Sequence, residues 1–561
     1  MLAILCLSSA LAAEGSASVA PVDVAQAQLE RAMTTLRDQP SPPHYAAIAI
    51  EDREAFRLRA RDGVVETPQQ TRSRFLDVEV RTGSPELDST HALRGFSSLD
   101  GSDREVLRIP LNDGFALEHA IWREIDRRYR EARERIVMVR ANLNVKADEE
   151  RPADDFEPRK GLVDEIEVPQ LNLDEAMWHQ RLDDIAAMLH ADSNVHRSTV
   201  QLDATRRVTS LVDTERARLV HGRRHLRLSI AVGTRADDGD DIGVYRAVDV
   251  HDPDDLPDAK AVLAMAEDAL GELAVRRSAP RAEPYSGPVL LSGRAAAVFI
   301  HEVLGHRVEG HRQKSDDEGR TFAEHVGRRV LPNFIDIYDD PTIEDWEGTP
   351  LNGFYVYDDE GVKAQRAEIV DDGVFVGFLM SRSPIPNFDH SNGHGRRSSG
   401  RAPTARMGNT ILEARRSISD AALRRRLIEF VRRQGLEYGY IVDEIDGGFT
   451  LTGRVMPNAF NVRASRTRRV FADGRPDEVV RGIDLVGTPF VAFSNLAAAG
   501  RTTEVFNGTC GAESGWVPVS AVAPSLLFER LEFQLKEKGQ ERPPLLSKPN
   551  VDDGAAMMEA P

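Results

Sequence analysis

The stretch G287-PVLLSGRAAAVFIHEVLGHRVE-G310 organises the reading of this chain. Val289-Leu290-Leu291 is a short apolar strand, and Ser292 is a helix N-cap. The helix that follows runs through Ala295, Ala296, Ala297, Val298 and Phe299 into His301-Glu302. A second histidine, His306, comes five residues after the first. On a regular helix five steps leave two side chains roughly 140° apart. The pair meets only if the helix is irregular there. A π-bulge would return both to one face, or the helix ends near Gly305 and the chain folds His306 back.

Two nearby histidines with a glutamate beside the first suggest a metal that activates water, the glutamate acting as general base. A catalytic zinc takes a third protein ligand. The chain has two cysteines; Cys6 lies in the N-terminal apolar segment read below as a signal peptide, which would leave Cys510 as the one cysteine of the mature chain. Cys510, in F506-NGTCGAESG-W516, is a natural third ligand, since a lone thiol is protected when metal-bound. Glu309, His311, His325, His390 and His394 remain alternatives at this point.

The totals exclude some function classes. Among 561 residues the net charge is -19, 41% are hydrophobic and 29% charged, so nucleic acid is not an expected partner. After the N-terminus no apolar run approaches the roughly 20 residues of a membrane span. The opening M1-LAILCLSSALAAE-G15 has an apolar core and an A-x-A site at Ala10-Leu11-Ala12. Residues 1–12 are therefore read as a signal peptide without a basic n-region, placing the protein in the periplasm or outside the cell; without such a signal it is cytoplasmic.

The Pro-rich S278-APRAEPYSG-P288 is the main boundary. An N-terminal domain is expected over 13–284, a second over 285–535 and an unstructured tail over 536–561. Helices are expected over Val22–Arg37, Phe115–Val139, Asp174–His190, Leu256–Val275 and Asp420–Gln434. Alternation places strands at Ala46-Ile48-Ile50, Leu76-Val78-Val80, Ser198–Val232 and Phe354–Tyr357. The fold class is α+β: an N-terminal domain of helices and antiparallel strands, then a β-rich domain carrying the HExxxH helix. In the loop after His394, Arg396, Arg397, Arg401, Arg406 and Asn409 are candidates for holding substrate backbone or a peptide carboxylate.

Several ordered motifs carry a family resemblance. HEVLGHRVEG is similar to the H-E-x-x-x-H segment of the TldD/PmbA family of zinc metallopeptidases. GPVLLSGRAAAVFIHE precedes it; DDEG (358–361), DDGVFVGFLMSR (371–382), GRRSSGRAPTARMGNT (395–410) and Cys510-Gly511 follow in order. The resemblance covers Tyr285 to Val519 well, and the N-terminal half more loosely through ADDF (153–156). It implies Zn²⁺ held by His301, His306 and Cys510, with Glu302 as general base. It also implies a TldD-type peptidase acting on peptides or unfolded protein, as a homodimer or a heterodimer with a related subunit. A non-catalytic zinc-bound peptide-binding subunit and a zinc hydrolase of other amides or esters are the competing readings. The export signal, the segment GAESGWVPV and the longer, more charged N-terminal half depart from the family pattern.

Overall fold

The computed structural model describes residues 20–93, 106–111, 113–143, 153–314, 320–450, 452 and 459–536. The signal peptide and all but the first residue of the expected tail lie outside these.

The N-terminal half is built on a nine-stranded sheet. Strand Pro43–Arg61 is flanked by Gln69–Ser84 and Arg197–Asp213, and the latter pairs with Arg218–Arg235, all antiparallel. The alternation of Ile48 and Ile50 with the small Ala47 and Ala49 sets the register: Ile48 lies opposite Val78 on one side and Val212 on the other. One face is covered by helices. Helices α1 (Pro21–Leu36) and α2 (Gly114–Leu143) pack on Ile48, Ile50 and Val78. Helices α3 (Glu175–Ala191) and α4 (Ala259–Ser278) pack on Leu58, Leu202 and Leu228. Because side chains alternate, the odd positions Ala47, Ala49 and Glu51 face the other way. There, Ala47 and Ala49 line a small cavity with Asp359, Glu360 and Arg397 of the C-terminal half, and Ser399 donates to Glu51 at 3.2 Å.

The C-terminal half holds an eleven-stranded sheet. Strands Tyr285–Leu291, Tyr438–Thr450, Phe460–Phe471, Ile483–Gly487 and Gly515–Leu535 pair in that order, and the last also pairs with the first, closing a ring. Helix α5 (Gly293–Val303) packs on Gly515–Leu535, Tyr438–Thr450 and Leu496–Ala512. It is apolar nearly all round and buried over almost its whole length, as a helix inside a core must be. Helix α6 (Asp420–Arg433) is capped by Ser419 and packs through Leu423, Leu427 and Phe430. The turn Asp371–Val374 has Asp372 and Gly373 at φ 49° and 75°, as a tight hairpin requires.

The architecture is thus mixed, with large antiparallel sheets, as the sequence suggests. One strand is corrected. Phe354–Tyr357 does not join a sheet. Its tyrosines are anchored singly, Tyr355 donating to the carbonyl of Gly393 at 2.8 Å and Tyr357 to Asp164 at 2.7 Å. Among the described residues no helix is long and apolar enough to cross a membrane, which says nothing of strands.

The ADDF segment joins the halves. The Phe156 ring lies between the guanidinium groups of Arg81 (4.4 Å) and Arg382 (4.1 Å), against Tyr45. Arg382 donates to the carbonyl of Glu157 at 2.7 Å and to Glu215 at 2.5 Å, and its own carbonyl accepts from the Glu157 amide. Replacing Phe156 with alanine removes this fully packed ring, so it should cost about 3–5 kcal/mol of stability. Urea unfolding of the two proteins side by side checks this.

Candidate metal centre

Ser292 caps α5, accepting from the Ala295 amide at 3.2 Å while its hydroxyl donates to the carbonyl of Asp443 at 2.6 Å. The helix delivers His301 and Glu302 in its last turn and closes at Val303. Two short 3₁₀ turns follow, Gly305–Val308 and Gly310–Gln313. The irregularity that the five-residue spacing demands is therefore a helix end and not a π-bulge. Gly305 permits it: a Cβ there would lie 2.0 Å from Sδ of Met407. Arg307 turns back to the buried C-terminal end of α5, donating to the carbonyls of Glu302 (3.0 Å) and Val303 (2.9 Å). A cation there also suits the negative end of the helix dipole.

The turn brings the two imidazoles together, ring centroids 5.2 Å apart and nearly perpendicular. Cys510 arrives on the strand Leu496–Ala512, held in a hairpin opposite Val517. Its sulfur is 3.3 Å from Nε2 of His306. The ligand atoms of His301, His306 and Cys510 lie within 4.8 Å of one another.

The electrostatics of this cluster are those of ligands. Burial alone would raise the Cys510 thiol, but His306 and His301 bring it well below the usual thiol range. Burial would lower both histidines, yet the facing thiolate raises His301 and takes His306 up to about 10. A thiolate facing two imidazoles is a donor set that a dication would stabilise. Nδ1 of His301 is buried with no hydrogen-bond partner. An orphaned imidazole nitrogen in a Cys-His-His set fits zinc, whose structural and catalytic sites use these donors.

Glu302 sits beside this group, buried against Gly448 on strand Tyr438–Thr450. A Cβ at Gly448 would come within 3.1 Å of Cγ and 3.3 Å of Cδ of Glu302. The glycine thus gives the carboxylate its room. The Glu302 carbonyl also accepts from Thr450, so helix end and strand are tied at this residue.

The alternative ligands go elsewhere. His325 stacks on Phe490 at 4.5 Å, His390 meets Glu157 at 3.0 Å, and His394 is buried between Asp339 and Asn392. Glu309, His311 and Glu513 form a second compact group. Arg312 already bridges its acids, 2.7 Å from Glu309 and 3.2 Å from Glu513, so a cation is built into that group.

The arginine loop is not laid out as a binding surface. Arg396 is buried over Tyr355 and donates to the carbonyls of Met407 and Pro518. Arg397 pairs with Asp77 at 2.6 Å across the two halves. Arg406, fully buried, donates to Glu309 at 3.1 Å, to the Cys510 carbonyl at 2.9 Å and to Ser514 at 2.9 Å. Asn409 pins the carbonyls of Asp340 and Ile343. The donors expected to hold substrate are largely committed to the protein itself; Arg397 and Arg401 are partly buried, Arg401 near the Cys510 hairpin turn at Gly515. Sequence reasoning passed over Arg307, Arg312 and Gly448, whose roles depend on contacts remote in the chain.

Residues 284–535 match the family model of the PmbA/TldA metallopeptidase C-terminal domain. This region is a C-terminal domain of the TldD/PmbA family. A metalloprotease of Archaeoglobus fulgidus is 31% identical over 249 residues, 44% of this chain and 52% of that protein. A zinc metalloprotease TldD homolog of Saccharolobus solfataricus is 23% identical over 260 residues, 46% of this chain and 53% of the relative. The chain thus spans about half the length of the curated relatives it matches. The fold as a whole resembles the crystal structure of TldE from Thermococcus kodakarensis. The TM-score is 0.58 at 13% identity, covering 91% of this chain and 99% of that one.

Proposed function

We propose that this chain is a zinc-dependent peptidase acting on unfolded peptides or small protein substrates. The observation that carries the reading is the convergence of His301, His306 and Cys510 within 4.8 Å, with Glu302 adjacent. These three side chains would hold the metal. Zinc, when bound, supplies Lewis acidity that lowers the pKa of water from about 15.7 to about 7. Glu302 takes the proton as water attacks the scissile carbonyl and passes it to the leaving amine. The carbonyl bonds from Arg307 and Thr450 hold the Glu302 backbone while its carboxylate works.

The division near residue 284, export by the N-terminal segment, and pairing with a second or related subunit belong to the same proposal. Likeness to TldE of Thermococcus kodakarensis supports the last.

The test is hydrolysis of a panel of unfolded peptides by chelator-free protein, before and after zinc removal, beside small amides and esters. Peptide turnover that falls with zinc and returns on its addition supports the reading. Turnover unaffected by metal removal overturns it. Gly448→Ala provides a local check. Its Cβ would crowd the Glu302 side chain and meet the Asn461 carbonyl at 2.7 Å. A misplacement near 1 Å costs up to about 100-fold, so kcat should fall on that scale with zinc content unchanged.

A further inference from the structure

We propose that Glu309 is the positioning residue of the metal centre, fixing His306 and, through Arg406, setting Cys510 in register with it. The proposal rests on the zinc reading above.

The local sequence places it. In a 3₁₀ turn, residues three apart eclipse. Glu309 follows the turn Gly305–Val308 and so comes beneath His306. Nε2 of His306 faces the Cys510 sulfur at 3.3 Å, leaving Nδ1 as the far nitrogen, 3.4 Å from Oε1 of Glu309. A carboxylate on the far nitrogen fixes tautomer and ring orientation and makes the ligand more basic.

Glu309 also ties the two ligand-bearing segments. It is fully buried and accepts from Arg312 at 2.7 and 2.9 Å and from Arg406 at 3.1 Å. Arg406 goes on to the carbonyl of Cys510, and Arg312 to Glu513, three residues beyond it. His306, Glu309, Arg406 and Cys510 therefore form a closed circuit joining residues two hundred positions apart in sequence. Two arginines around one carboxylate hold the cysteine hairpin against the histidine turn.

The test compares wild type, Glu309→Gln and Glu309→Asp by zinc competition against a chromophoric chelator, and by the visible spectrum of the Co²⁺-substituted proteins. Loss of an outer partner costs about 10–100-fold in metal affinity. Glu309→Gln should weaken zinc by that factor and alter the Co²⁺ bands. Glu309→Asp, retaining the charge, should recover part of both. If Glu309→Gln does not fold, Arg406→Lys takes its place. Lysine keeps the charge but has no fork to span Glu309 and the Cys510 carbonyl, and an affinity loss of about 10-fold is expected. Wild type that binds zinc while every folded variant matches its affinity and spectrum overturns the role of Glu309 and leaves the centre standing. Wild type that takes up neither metal overturns both.

Discussion

Cys510→Ser is expected to strip the protein of its metal. Loss of an outer-shell partner costs about 10–100-fold in affinity, and loss of a direct ligand should exceed the top of that range. The reason lies in the charge. Cys510 is buried, and its thiol is held well below the usual range by His306 and His301, so it meets a dication as an anion. A serine hydroxyl in the same pocket stays neutral and offers a harder, weaker donor, while the dication still has to leave water. The substitution also removes the charge that raises both histidines. Metal analysis of wild type and variant, purified together without chelators, reads the result directly. Stoichiometric zinc in the wild type with little in Cys510→Ser supports the third-ligand assignment. Full retention by the variant removes Cys510 from the centre.

The chemistry of this site is more legible in the sequence than its scaffold. Local features carry the ligands: a five-residue histidine spacing that requires a helix irregularity, and a lone cysteine between glycines. The kind of irregularity is not local. Residue 305 has to be glycine because Met407, a hundred residues on, leaves no room for a Cβ, and nothing near Gly305 announces that. The same distance misleads about the loop from Arg396 to Asn409. Read in sequence, its arginines look available to hold a substrate's backbone or carboxylate. In the fold, Arg406 is buried because Glu309 and the Cys510 carbonyl converge on it from two other segments. Long amphipathic strands such as Pro43–Arg61 follow from alternation, since one face is covered by helices. The closed ring of strands does not, because Tyr285–Leu291 and Gly515–Leu535 meet from opposite ends of the domain. Phe354–Tyr357 shows the converse error: alternation without ladder partners, held by tyrosine hydroxyls instead.

Glu302→Gln separates binding from chemistry and is expected to keep the zinc while lowering peptide turnover by about 10²–10⁴-fold, the range of a positioned acid–base group. The amide has nearly the shape of the carboxylate, so it fits the space left by Gly448. The backbone bonds that Arg307 and Thr450 make to residue 302 do not involve the side chain, so the end of α5 should hold. The three ligand side chains are untouched. What is lost is a group able to accept a proton from water and return it to the amine. Gly448→Ala tests the same residue from the other direction, keeping the carboxylate and crowding its place. If Glu302 is the base, both variants lose kcat at unchanged metal content. The glutamine protein then stays slow at every pH, because it has no carboxylate to ionise. Turnover preserved in Glu302→Gln, with zinc occupancy verified in the same sample, would assign the proton transfer to another group and reduce Glu302 to a wall of the site.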